Sequence, residues 1–443
     1  MSAMTSSSSP APMTVAGLFA GIGGLELGLE RAGLRTEYLC ELWGPARAVL
    51  SERFPGVPLD LDVREVKRLP RADVVTAGFP CTDLSQAGRT AGIAGEHSGL
   101  VRELFRLLRA GRRSLPTWVV IENVRNMTVL GSGSAMAHVV QGLEDLGYRW
   151  AYRVVDSRFS GVPQRRQRVL FVASRTEDPR GALFADEAGE PPAEELADDA
   201  FGFYWTEGLR GLGWARDAVP TLKGGSSLGI PSAPGIWVPA AEQGRRVVSP
   251  RLEEAEALQG FPPGWTGPVE GSARAAGTRW KLVGNAVTVG VAQWLGGRLA
   301  GPGEPLATGR ELAPGERWPL AAWGAKGRRF AAEASMWPLR LPYAHLSSLV
   351  DLPEAPALSL RATGGFYQRL CRGGLKVAPP EFRDDIAGHL ASHGLGVMGH
   401  SSSADGPGHL ASHGLGVMGR RALERDEAAA VACLPRAAGT GGH

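Results

Sequence analysis

The 443-residue chain has little cysteine: only Cys40, Cys81, Cys371 and Cys433. Their irregular spacing gives neither a disulfide framework nor a zinc-ligand pattern. A reducing, cytoplasmic setting is the expectation, with no metal. No apolar run approaches the roughly 18 residues that span a bilayer, so no membrane partner is expected. The N-terminus, Met1 to Pro12, is serine-rich and has neither a basic nor an apolar stretch, which argues against secretion. It reads as a disordered leader. Charge of one sign is also scarce: the formal net charge is +3. That total neither requires nor excludes nucleic acid, because a basic groove can hide in a near-neutral sum.

What is present begins with an alternation. Short β-branched runs at Met13–Leu18, Thr36–Cys40, Asp73–Ala77, Trp118–Ile121, Trp150–Val155 and Arg168–Ala173 are separated by amphipathic stretches. Strands alternating with helices predict an α/β fold with a mostly parallel, doubly wound sheet over 13–175. In the first helix Leu25, Leu29 and Ala32 share a face, with Glu26, Glu30 and Arg31 expected opposite and Gly33 as its stop. After Arg175 the periodicity weakens, and 176–248 reads as a small irregular domain. Residues 249–300 return to a helical pattern. Residues 301–387 read as a helical C-terminal appendage, and 388–443 as a disordered tail. In that tail a twelve-residue segment at 388–399 recurs at 408–419. Two copies are too few for a solenoid. Their histidines, His389, His393, His409 and His413, sit in glycine-rich chain that leaves metal ligands unorganised.

The strongest claim to chemistry is the run Ala77-Gly78-Phe79-Pro80-Cys81-Thr82-Asp83-Leu84-Ser85. A cysteine after proline at a strand's carboxyl end occupies the sheet edge where open α/β folds bind ligands. Phe19-Ala20-Gly21-Ile22-Gly23-Gly24 lies between the first strand and first helix, where glycines allow close backbone approach to a ligand. The third glycine of a dinucleotide fingerprint is absent, since Glu26 stands there. Glu41 closes the second strand, placed to accept from ribose hydroxyls, with Trp43 close by to stack on a base. Asp62 follows where a third strand ends. Taken alone, each is more readily a solvated loop residue or a core aromatic. Glu122 joins Cys81 at the same sheet edge. Gln164-Arg165-Arg166-Gln167-Arg168 leads into an apolar strand, and alternation sends Arg166 and Arg168 to one face.

In this order the pieces resemble the cytosine-C5 DNA methyltransferases of bacterial type, over about residues 14–300. Phe19–Gly24 resembles the family's cofactor loop, Gly78–Cys81 its nucleophile loop and Glu122-Asn123-Val124 its Glu-Asn-Val motif. Gln164, Arg166 and Arg168 fit Gln-x-Arg-x-Arg. Arg251 to Pro262 resembles the helix that braces the recognition domain. Gly284-Asn285-Ala286-Val287 resembles the final motif, whose helix folds back beside the first.

The resemblance implies a Rossmann-like methyltransferase domain, 13–175 completed by 277–300, and a target-recognition domain at 176–276. It implies S-adenosylmethionine as cofactor, held by Phe19, Gly21, Gly23, Gly24, Glu41, Trp43, Asp62, Val63, Pro80, Asn285, Ala286 and Val287. Catalysis would rest on Cys81, Glu122, Arg166 and Arg168. Double-stranded DNA would meet Thr82, Ser85, Gln86, Arg89, His97, Gln164, Thr221 and Lys223. Thr82 departs from the family's usual glutamine after the nucleophile, which puts contacts around the flipped base in question. The implied protein is a monomer, with a restriction endonuclease of the same site as a further partner. An RNA-directed member and a catalytically idle DNA-binding relative are the alternatives.

Overall fold

The computed structural model describes residues 11–79, 99–111, 114–204, 213–224, 233–269, 275–306, 308–372 and 379–398. They form two compact units. The first comprises residues up to 193, 221–231 and 252–344. The second comprises 194–220, 232–251 and the chain from 345.

The first unit is built on a ten-stranded sheet. Its strands are β1 (Thr14–Leu18), β2 (Arg35–Cys40), β3 (Leu59–Asp60), β4 (Val74–Ala77), β5 (Trp118–Val124), β6 (Arg149–Asp156), β7 (Gln167–Ser174), β8 (Gly309–Glu311), β9 (Ala321–Ala325) and β10 (Arg328–Ala332). The order across the sheet is β8-β10-β9-β6-β7-β5-β4-β1-β2-β3. From β5 to β3 every pair is parallel, whereas from β5 to β8 every pair is antiparallel. The sheet is therefore mixed, and the mostly parallel sheet expected from the sequence is its half from β5 to β3. The six strands expected from β-branched runs all form.

Both faces are covered. In β1, β4 and β5 successive residues alternate between two cores: Val15, Val74, Trp118 and Val120 face one side, and Ala16, Val75, Val119 and Ile121 the other. That period of two is what a strand buried on both faces requires. Helices α1 (Gly24–Arg31) and α7 (Val289–Ala300) cover the first side. Helices α3 (Gly99–Ala110) and α4 (Ser134–Glu144) cover the second. Helix α2 (Gly44–Arg53) follows β2, and α5 (Leu252–Leu258) and α6 (Ala275–Asn285) precede α7.

Helix α7 lies directly against α1, so the final helix does fold back beside the first. Glycine makes the approach possible: a Cβ on Gly28 would stand 2.4 Å from Ala292 Cβ and 2.5 Å from the Val289 carbonyl oxygen. One residue of the expected solvent face of α1 turns inward instead. Glu26 is 1% exposed and accepts from Thr76 Oγ1 at 2.9 Å, against Gly17 of the sheet, while Glu30 and Arg31 are exposed as expected.

The second unit has a four-stranded antiparallel sheet, with Phe201–Phe203 between Ala215–Arg216 and Gly235–Trp237, and Val247–Val248 at the far edge. Helices Leu360–Arg372 and Pro380–Met398 pack on it through Phe203, Trp237, Val247, Phe366, Tyr367, Leu370, Phe382 and Ile386. The stretch expected to be a helical appendage thus divides. Residues 309–332 are strands of the central sheet, and the helices from Leu346 onward belong to the second unit. The helix Pro380–Met398 also runs into the expected tail, through most of the first repeat copy. The second copy and residues 1–10 lie outside the described residues.

Candidate active site

The parallel strands bring the cofactor loop to their carboxyl ends. Beyond β1 the chain turns through Phe19, Gly21 and Gly23, all at positive φ (55°, 59° and 81°). Glycine adopts this conformation freely, but at Phe19 it is strained. Glu41, just past β2, holds the loop. Its Oε2 accepts from the Gly21 amide and its Oε1 from the Trp43 amide, both at 2.8 Å. Burial pushes the Glu41 carboxyl above its ordinary value, and these amide hydrogen bonds oppose the rise. Each oxygen keeps a second lone pair for a ligand hydroxyl. Lys281 Nζ lies 4.9 Å from the centroid of the Trp43 ring. Both Asp62 oxygens are engaged by Arg64, with Nε at 2.9 and 3.0 Å, which holds that carboxyl low. Val63 is buried, and its carbonyl accepts from Arg106 at 2.9 Å.

Gly24 starts α1 against the final motif: a Cβ there would come 2.5 Å from the Val287 carbonyl oxygen. Ala286 is buried and Asn285 exposed. So Phe19, Gly21, Gly23, Gly24, Glu41 and Trp43 gather around one loop, with Ala286 and Val287 bracing it. A carboxylate, an indole and an open glycine turn fit an adenosine-bearing cofactor such as S-adenosylmethionine. The backbone is accessible too, since nothing stands within 4 Å of a Cβ on Gly21.

The chemical edge lies between β4 and β5. Gly78 donates to the Leu18 carbonyl at 3.4 Å, and a Cβ on it would lie 3.9 Å from Glu122 Oε2. Glu122 is 8% exposed, and its Oε1 stands 2.9 Å from Arg168 Nε. The pairing of β5 with β7 sets Val124 opposite Arg168, which brings this arginine to the glutamate. Asn123, which sequence reasoning left without a role, donates through Nδ2 to the Phe79 carbonyl at 3.2 Å. It therefore pins the residue before Pro80. The Phe79 ring also meets Phe19 edge-on at 6.3 Å between centroids, joining this loop to the cofactor loop. Pro80, Cys81, Thr82, Ser85, Gln86, Arg89 and His97 lie outside the described residues. Cys40 is no rival nucleophile, because burial pushes its thiol up to about 12.

Three expectations are corrected. Arg166 was placed with the catalytic residues, yet its guanidinium is buried among backbone carbonyls. It donates to Leu222 (3.1 Å), Gly284 (3.2 Å) and Ala286 (2.7 Å) and makes no described contact with Glu122. It locks the final motif to the 221–224 segment. Gln164 was placed on DNA but is fully buried. Its Nε2 donates to the Leu258 carbonyl and Gln259 Oε1, and its Oε1 accepts from the Leu222 amide. Thr221 is half-buried and donates its hydroxyl to the Arg165 carbonyl at 2.9 Å. The backbone of Lys223 lies so close to α6 that a Cβ on Gly284 would be 2.2 Å from its carbonyl carbon. This segment clusters with the first unit, not with the expected recognition domain. Gln259 joins the same network, donating to the carbonyls of Val283 (3.0 Å) and Ala286 (3.3 Å) and accepting from Thr288. A Gln following an amphipathic helix was the available signal, though its partners lie 24 or more residues away.

The family model described as C-5 cytosine-specific DNA methylase matches residues 13–197. The type II methyltransferase M2.BsuMI of Bacillus subtilis is 44% identical over 368 residues, covering 81% of this chain and 94% of that one. The chain belongs to the C-5 cytosine-specific DNA methylase family. It is a DNA (cytosine-5)-methyltransferase, and its doubly wound unit is the family's Rossmann-like domain. The type II methyltransferase M.MspI of Moraxella sp. is 26% identical, covering 62% of this chain and 67% of that one. Among solved structures, the Dnmt2 methyltransferase of S. pombe matches 64% of this chain and 97% of its own, at TM-score 0.48 and 15% identity. Among the described residues, no cluster of His, Cys, Asp and Glu could hold a metal ion. No described helix is long and apolar enough to cross a membrane.

Proposed function

We propose that this methyltransferase attacks a flipped-out cytosine through Cys81 and methylates its C5 from S-adenosylmethionine. The observation that carries the reading is the Glu122–Arg168 pair, 2.9 Å apart, beside the start of the Gly78–Cys81 loop. Cys81 as thiolate forms a bond to C6. Glu122 donates a proton or hydrogen bond at N3, drawing charge off the ring as sulfur adds. Arg168 holds Glu122 and the cytosine O2. C5 becomes nucleophilic. Bound S-adenosylmethionine supplies an electrophilic methyl group and leaves as S-adenosylhomocysteine. Transfer of the C5 proton to water then expels Cys81 as thiolate, and N3 returns its proton to Glu122, which restores the ring. Glu41 accepts from the ribose hydroxyls and Trp43 stacks on the adenine. Asn123 positions the loop that carries Cys81. Extruding the base costs a few kcal/mol, offset by contacts in the pocket.

The relatives' naming as type II methyltransferases supports modification of one DNA site in company with a restriction endonuclease. The chain would act on double-stranded DNA as a monomer. The second compact unit, 194–220 and 232–251 with the C-terminal helices, is its target-recognition unit. Base-resolution sequencing of 5-methylcytosine tests this, on plasmid from a methylation-free host expressing the chain. Methylation in one recurring context, absent with Cys81→Ser, is expected. Unmethylated DNA from soluble wild-type protein that binds S-adenosylmethionine refutes it.

A further inference from the structure

The helix Leu360–Arg372 contains three arginines and no acid. At 100° per residue, Arg361, Gly365, Gln368 and Arg372 fall on one stripe, about 16 Å long. Arg361 and Arg372 are exposed. The opposite face is apolar and buried: Phe366, Tyr367 and Leu370 pack on the sheet of the second unit. Other arginines of that unit reach carboxylates, as Arg216 does to Asp198 (2.6 Å) and Arg246 to Asp385 (2.7 Å). Among the described residues Arg361 and Arg372 form no ion pair, so none of those residues neutralises their charge.

Gly364 and Gly365 are the second observation. Each glycine inside a helix costs about 1 kcal/mol relative to alanine. Internal packing does not demand them. A Cβ on Gly364 would meet Leu390 Cδ2 at 3.9 Å, and one on Gly365 would meet Arg369 Nη1 at 3.6 Å, both ordinary contacts. Arg361 and Arg372 flank Gly365, beside which the Arg369 guanidinium also lies, and together they leave a basic surface that a phosphate backbone can approach.

We propose that this helix face is a DNA-backbone contact of the recognition unit, so the region beyond the final motif binds the duplex. The proposal rests on the DNA methyltransferase reading and adds where the duplex is held. The partner is the sugar-phosphate backbone, which carries one charge per about 1.7 Å of duplex axis. These contacts set affinity and register and do not read sequence.

The test uses the full chain, wild type and Arg361→Gln/Arg372→Gln, with a labelled 30-base-pair duplex titrated by fluorescence anisotropy across a range of salt concentrations. The slope of log affinity against log salt is expected to become shallower by about 2, on any duplex sequence. Arg361→Lys/Arg372→Lys should keep the wild-type slope, and S-adenosylmethionine affinity should be unchanged in both variants. An unchanged slope in the glutamine variant, with cofactor binding intact, overturns the proposal, and so does a loss confined to one DNA sequence. Failure of the methyltransferase reading itself would show separately, as wild-type protein that forms no covalent adduct on 5-fluorocytosine DNA.

Discussion

Glu26→Gln gives the sharpest test of how the cofactor-side core is built. Glu26 sits in the first turn of α1, 1% exposed, against Gly17 of β1 and Thr76 of β4. Gly17 leaves the room: a Cβ there would be 2.3 Å from Glu26 Oε1. Burial raises the carboxyl from its ordinary 4.5 to about 7, and the charges of Glu30 and Glu41 push the same way. Hydrogen bonds from the helix backbone and from Thr76 oppose the rise. Below pH 4.5 both folded and unfolded chains hold the proton, and Glu26 adds no pH dependence. Between 4.5 and 7 only the folded chain holds it, so stability falls as pH rises. Above 7 both are ionised and the loss is complete, at about 3 kcal/mol. Glutamine keeps the acceptor for Thr76 and cannot ionise. Urea unfolding at pH 5 and pH 8.5 measures the effect. The stability of Glu26→Gln relative to wild type should improve by about 2.5 kcal/mol between the two pH values. A difference that stays constant with pH would refute the reasoning, because the buried carboxyl would then not be losing a proton in this window.

Two further outcomes follow from close contacts. Asn123→Ala removes the donor to the Phe79 carbonyl and should lower kcat on the order of 10²-fold through misplacement of the Cys81 loop, with S-adenosylmethionine affinity retained, as measured by single-turnover kinetics and calorimetry. Gly28→Ala drives a methyl group into Ala292 and the Val289 carbonyl, and should cost about 1–3 kcal/mol in urea unfolding by parting α1 from α7.

Much of the catalytic unit was legible because its signals are local. Short β-branched and aromatic runs mark strands whose ends move by at most three residues in the structure. The turn at Gly21 and Gly23 needs positive φ, and glycine supplies it whatever packs nearby. Glu41 follows its strand closely enough to meet the loop. Glu122 and Arg168 each end up where strand order and alternation place them. What the sequence could not state is which polar residues turn inward. Gln164 and Arg166 look like a basic surface loop until the carbonyls of Leu222, Leu258, Gly284 and Ala286 arrive from 56 to 120 residues away. Glu26 looks solvated until β1 and β4 pack over it at Gly17 and Thr76. Residues 309–332 carry weak strand signals, and the β6 edge decides their fate by offering unpaired backbone groups at Trp150–Arg153. The C-terminal helices likewise find their partners in a sheet more than a hundred residues earlier. Local propensity and turn chemistry are written residue by residue. Burial is a property of what packs against a residue, and only the tertiary structure decides it.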